Sequence, residues 1–128
     1  MLEKKVFIDF ILWDTKIPPK EITKELNVVP DTELLQGERF PERNVPRKNI
    51  WSIESTIISN SIDAHWQELK EKLSTKRDKI KEISKDCDAK IVVIIDSEGT
   101  IPKNLIIPPD MSEFVSYIGA IIDIDHMQ

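Results

Sequence analysis

Two copies of one short pattern constrain this chain more than any other feature: an apolar strand-like run, a Pro-Pro pair, and a stretch with helical spacing. The first copy runs from Val6 to Trp13, through Pro18-Pro19, into Glu21 to Leu26. The second runs from Leu105 to Ile107, through Pro108-Pro109, into Met111 to Ile118. Proline pushes the residue before it into an extended conformation, and at the first helical position it gives up no hydrogen bond that the helix would have made. Each pair therefore marks a corner between an extended segment and a helix. This is architecture and says nothing yet of chemistry.

Periodicity fills in the elements between the corners. Alternation in Val6 to Trp13 puts Val6, Ile8, Phe10 and Leu12 on one face and Phe7, Asp9, Ile11 and Trp13 on the other. Both faces are mostly apolar, which predicts a central strand. Ile22 and Leu26 predict a short helix that Asn27 ends by adopting a left-handed conformation. Ile50 to Ser55 alternates as a shorter strand with Trp51 and Ile53 on one face. Asn60 or Ser61 is placed to cap a helix carrying Ile62, Trp66, Leu69 and Leu73. The stripe lapses at Lys76 and Arg77, Thr75 with Asp78 has the form of a capping box, and Ile80 and Ile83 resume the period, so a break is expected near Ser74. Ala89 to Asp96 is rich in β-branched residues and predicts a strand. Ser97-Glu98-Gly99 then predicts a turn into a strand at Leu105 to Ile107, forming a hairpin. Met111, Phe114, Val115 and Ile118 predict the last helix, ended by Gly119, and Ala120 to Asp125 a closing strand. From Val28 to Lys48 no period is sustained, and Pro30, Gly37, Pro41 and Pro46 predict a long loop.

A chain of 128 residues fits a single domain, residues 1–128. The expected fold is α+β: a mainly antiparallel sheet of four or five strands with helices on one face, for which a ferredoxin-like plan is one arrangement that fits. A net charge of −5 argues against broad adhesion to nucleic acid or to an anionic membrane. The single cysteine, Cys87, forms no internal disulfide, and no CxxC or Cys/His cluster is present, which fits a reducing cytosol. No apolar run reaches the length needed to cross a bilayer. The expectation is a cytoplasmic, soluble protein without a cofactor.

Four groups of residues are candidates for function. Asp9, Asp123 and Asp125 converge if the first and last strands are neighbours, and would then hold a divalent metal through oxygen ligands; the favoured alternative is that they line a solvated strand face. His65 and His126 lack a nearby Ser or Cys motif, and His65, beside Trp66, is expected at the surface. Cys87 lies between Asp86 and Asp88, a setting that disfavours a thiolate. Arg39, Arg43, Arg47 and Lys48 interleave with Phe40 and precede Trp51, a pattern that can grip phosphates and stack on bases, although Glu38 and Glu42 dilute it. Finally, Phe7, Ile11 and Trp13 are expected beside Val92, Ile94 and Ile121 on the sheet face away from the helices. That patch must be covered either by the Val28 to Lys48 loop or by a homodimer or protein partner.

The run Pro19-Lys20-Glu21-Ile22-Thr23-Lys24-Glu25-Leu26, with Pro30-Asp31-Thr32, Gly37-Glu38, Trp51-Ser52-Ile53, Ile118-Gly119-Ala120 and Asp123-Ile124-Asp125, resembles the bacterial family catalogued as domain of unknown function 4279. The resemblance spans nearly the whole chain. Asn27 stands where that family usually has glycine, and Gln36 where a lysine usually precedes Gly37. The resemblance implies a small, compact bacterial protein and carries over no activity. The favoured functional expectation is a nonenzymatic binding or protein-interaction module, by analogy with small acidic immunity proteins. The alternatives are a metal-dependent enzyme using Asp9, Asp123 and Asp125, and, less favoured, nucleic-acid binding through the Arg39 to Lys48 loop.

Overall fold

The computed structural model describes residues 6–96 and 105–127. Among them, five strands form one sheet: β1 (Val6–Trp13), β2 (Thr32–Leu34), β3 (Ile50–Glu54), β4 (Asp88–Asp96) and β5 (Ile121–Met127). The helices are α1 (Pro19–Leu26), α2 (Ile62–Leu73), α3 (Arg77–Ser84) and α4 (Pro109–Ile118). The strand order is β2-β3-β1-β4-β5. All neighbours are antiparallel except β4 and β5, which run parallel. The first six elements, counting the α2–α3 pair as one, run β-α-β-β-α-β. In this stretch β3 lies between β1 and β2, and β1 between β3 and β4, so each β-α-β unit is split by another strand, the connectivity of a ferredoxin-like plan. Helix α4 and strand β5 extend it.

The two proline corners have the same geometry. Pro18 and Pro108 are extended, with ψ of 143° and 151°, and Pro19 and Pro109 open their helices. The Pro18 carbonyl accepts from the amides of Glu21 and Ile22, and the Pro108 carbonyl from those of Met111 and Ser112. Both helices end in a left-handed residue, Asn27 (φ 53°) and Gly119 (φ 77°). Ser61 caps α2 by accepting from the Ala64 amide. The expected break is a 3-10 turn at Ser74–Lys76, but α3 starts without a side-chain cap, so the Thr75 and Asp78 capping box does not form.

All the helices pack on one face of the sheet. Val6, Ile8, Phe10 and Leu12 of β1, Trp51 and Ile53 of β3, and Ala89, Ile91, Val93 and Ile95 of β4 join Ile22, Leu26, Ile62, Trp66, Leu69, Leu73, Ile80, Met111, Phe114, Val115 and Ile118 in one core. Phe114 bridges the layers, with its ring centroid 6.3 Å from Phe10 and 5.2 Å from Trp66.

Two further expectations are corrected. Leu105 to Ile107 is irregular and pairs with none of the described strands; the position beside β4 expected for it is taken by β5, which returns parallel after α4. The Ser97-Glu98-Gly99 turn lies outside the described residues. The Val28 to Lys48 segment, expected as a loop throughout, contributes the edge strand β2.

Candidate functional site

The sheet face turned away from the helices brings most of the candidate residues together. Combining the strand registers gives its rows. Phe7, Ile94 and Asp125 lie side by side, then Glu54, Asp9, Val92 and Asp123, then Thr32, Ser52, Ile11, Lys90 and Ile121, and finally Leu34, Ile50, Trp13 and Asp88. Phe7, Ile11 and Ile94 are half-buried, and Trp13 and Ile121 are exposed at 40% and 62%. None of these residues belongs to the helix-side core. Trp13 and Ile121 flank a groove of about 430 Å³, lined also by Cys87, Asp88, Ala89, Lys90 and Gly119. The face is acidic: Asp9, Glu54, Asp88, Asp123 and Asp125 stand against Lys90, which lies 3.9 Å from Asp123.

The carboxylates share this face but do not converge. Strand β4 lies between β1 and β5, so Val92 separates Asp9 from Asp123, a gap of about two strand spacings, or roughly 10 Å between backbones. The premise that the first and last strands are neighbours is thereby overturned. Among the described residues, no group of three or more His, Cys, Asp or Glu is placed to hold a metal ion.

The arginines lie elsewhere. Arg39, Arg43 and Arg47 are exposed on the β2–β3 connection. The Arg43 guanidinium sits 4.1 Å from the Phe40 ring centre, and Lys48 pairs with Asp14 at 3.5 Å. Asn49 anchors the base of this connection, accepting from the Gln36 amide and donating to the Thr15 carbonyl. Trp51 does not belong with them. It is fully buried on the helix side, edge-on to Phe10, and its indole donates to the Thr23 hydroxyl at 3.0 Å. Alternation along β3 fixes this: Trp51 lies opposite Leu12, whose side chain faces the core.

His65 is a further correction. It is completely buried, with Nδ1 2.6 Å from the Ser55 hydroxyl and Nε2 2.7 Å from the Ser59 carbonyl. A carbonyl only accepts, so Nε2 carries a proton. The Ser55 hydroxyl also accepts from the Ile8 amide, tying the end of β3 and the start of α2 to the central strand. Ser55 is 1% exposed, so this pair is a structural tie closed to any substrate. The spacing carried a signal for it, because His65 falls three residues after Ile62 and four before Leu69, on the buried stripe. The Cys87 thiol is pushed up to about 11, first by burial and then by Asp88, Asp86 and Asp14.

No described helix is long and apolar enough to cross a membrane. The model of the family described as "Domain of unknown function (DUF4279)" matches residues 4–128. No curated protein and no solved structure matches the chain.

Proposed function

The chain belongs to the DUF4279 family, and from that premise, which assigns no activity, we propose that it is a nonenzymatic binding module whose contact surface is the helix-free face of its sheet. One observation carries the reading: Phe7, Ile11, Trp13, Ile94 and Ile121 gather on the face that none of the described helices packs against, and Trp13 and Ile121 stay solvent-exposed there. Apolar groups collected on one exposed face mark an interaction site. The surrounding carboxylates favour a partner whose rim is cationic.

Light scattering and uptake of a hydrophobic dye by the folded protein test this, with Ile11→Glu as the variant. A concentration-dependent dimer, or dye uptake by a monomer, supports the proposal when Ile11→Glu abolishes it and leaves the far-ultraviolet circular dichroism unchanged. A monomer that takes up no dye overturns it.

A further inference from the structure

Among the described residues, the two edges of the sheet are built differently. At one end β2 has three residues, Thr32–Leu34, and follows Pro30, so little backbone is open to pairing there. At the other end β5 runs for seven, Ile121–Met127, and contains no Pro, Gly or Lys. A long strand without those residues is the kind of edge to which another chain can add. On β5, Ile121, Asp123, Ile124, Asp125 and His126 are exposed, while Ile122 is half-buried against the core. Ile124 pairs with the fully buried Val93 and so points to the helix side, yet it is 53% exposed. Asp123 and Asp125 are exposed on the opposite face.

The charge pattern selects the occupant. If a second copy adds antiparallel about Ile124, Asp123 of each copy meets Asp125 of the other, and like charges directly opposite are destabilising. A segment with lysine or arginine at those positions turns the same geometry into two favourable cross-strand pairs. The net charge of −5 favours its approach.

We propose that the outer edge of β5 accepts, by strand addition, an extended segment of a cationic partner polypeptide in which basic residues alternate with apolar ones. The basic side chains lie beside Asp123 and Asp125, and the apolar ones beside Ile122 and Ile124. Main-chain hydrogen bonds supply affinity, and alternate side chains supply the choice of partner. The inference deepens the reading above, because Asp123 and Asp125 belong to the same face, but it depends on the strand edge.

The test is fluorescence anisotropy with a labelled, end-capped heptapeptide that alternates lysine and valine. The comparison peptides have the same composition with the lysines grouped, glutamate in place of lysine, or N-methyl groups on alternate amides. We expect saturable binding of the alternating basic peptide alone, weakened about tenfold by the double variant Asp123→Asn, Asp125→Asn. Equal binding of the grouped or N-methylated peptide overturns strand addition, as does no binding at all. A dimer that Ile124→Lys dissociates overturns it too, since a second copy then closes the edge. Binding that survives Ile11→Glu belongs to the edge, and stands whatever the dye experiment says of the open face.

Discussion

The imidazole of His65 touches two separate segments, the Ser55 hydroxyl at the end of β3 and the Ser59 carbonyl before α2. Replacing it with alanine strips hydrogen bonds from the buried Ser55 hydroxyl and the half-buried Ser59 carbonyl and leaves a hole. His65→Ala is therefore expected to cost about 2–4 kcal/mol, read from urea unfolding. Its position beside a tryptophan reads as surface, and the contrary signal, its spacing on the Ile62, Trp66, Leu69 stripe, was outweighed. Trp51 carried a similar signal: alternation assigned it the same face as Ile53, and that face is the core. Asn27 shows a substitution the fold absorbs. It already holds the left-handed conformation, φ 53° and ψ 42°, so Asn27→Gly should change stability by less than about 0.5 kcal/mol, whereas Asn27→Ala should cost about 1 kcal/mol in the same assay. The Cys87 thiol, pushed up to about 11 by burial and three aspartates, should react with iodoacetamide at pH 7 about a hundredfold more slowly than an ordinary thiol, followed by mass spectrometry.

At the scale of elements, the ties between helices and strands come from polar groups whose partners are distant in sequence. Glu68 has the favourable spacing for an ion pair with Lys72, yet its carboxylate instead accepts from the Thr56 amide and hydroxyl and the Ile57 amide, clamping the β3–α2 connection. Burial pushes its carboxyl up, but these hydrogen bonds and the nearby Lys72 outweigh that and hold it below the usual value. A lowered folded-state pKa adds stability above the ordinary glutamate range, and that contribution is lost as pH falls through the folded value. Glu68→Gln should therefore unfold more readily than the parent at pH 7 and lose that difference toward pH 3, checked by urea midpoints across pH. Thr23 plays a similar part for α1: its hydroxyl accepts from the Trp51 indole and donates to Glu33 of β2 at 2.6 Å. Thr23→Val keeps the shape and orphans the indole, and should cost about 1–3 kcal/mol in thermal or urea unfolding. Local pattern sufficed for α1, α2, α4, β1 and β4, whose caps and periods lie within a few residues. It failed for β2, three residues among prolines, and for Leu105 to Ile107, where a short apolar run packs on the core without a strand beside it.

For the whole molecule, the sequence disclosed the layers but not the strand order. Alternation on β1 with two apolar faces implied a central strand, and the helix stripes implied a single covered side. Which strands flank β1 depends on long-range pairing, to which local periodicity is blind. That order decides the fate of the carboxylates, because β4 between β1 and β5 keeps Asp9 from Asp123 while leaving Asp123 and Asp125 at the rim. The central place of β1 also bears on how the protein is made. Its register partners on one side begin at Ile50 and on the other at Asp88, both far downstream. During synthesis, at about 5–20 residues per second, this apolar segment waits for seconds with both of its edges open, and holds its final place only once β4 has left the ribosome. Stalled nascent chains that end before β4 should stay sensitive to protease, and such unfinished chains are natural clients for a chaperone that grips hydrophobic strands.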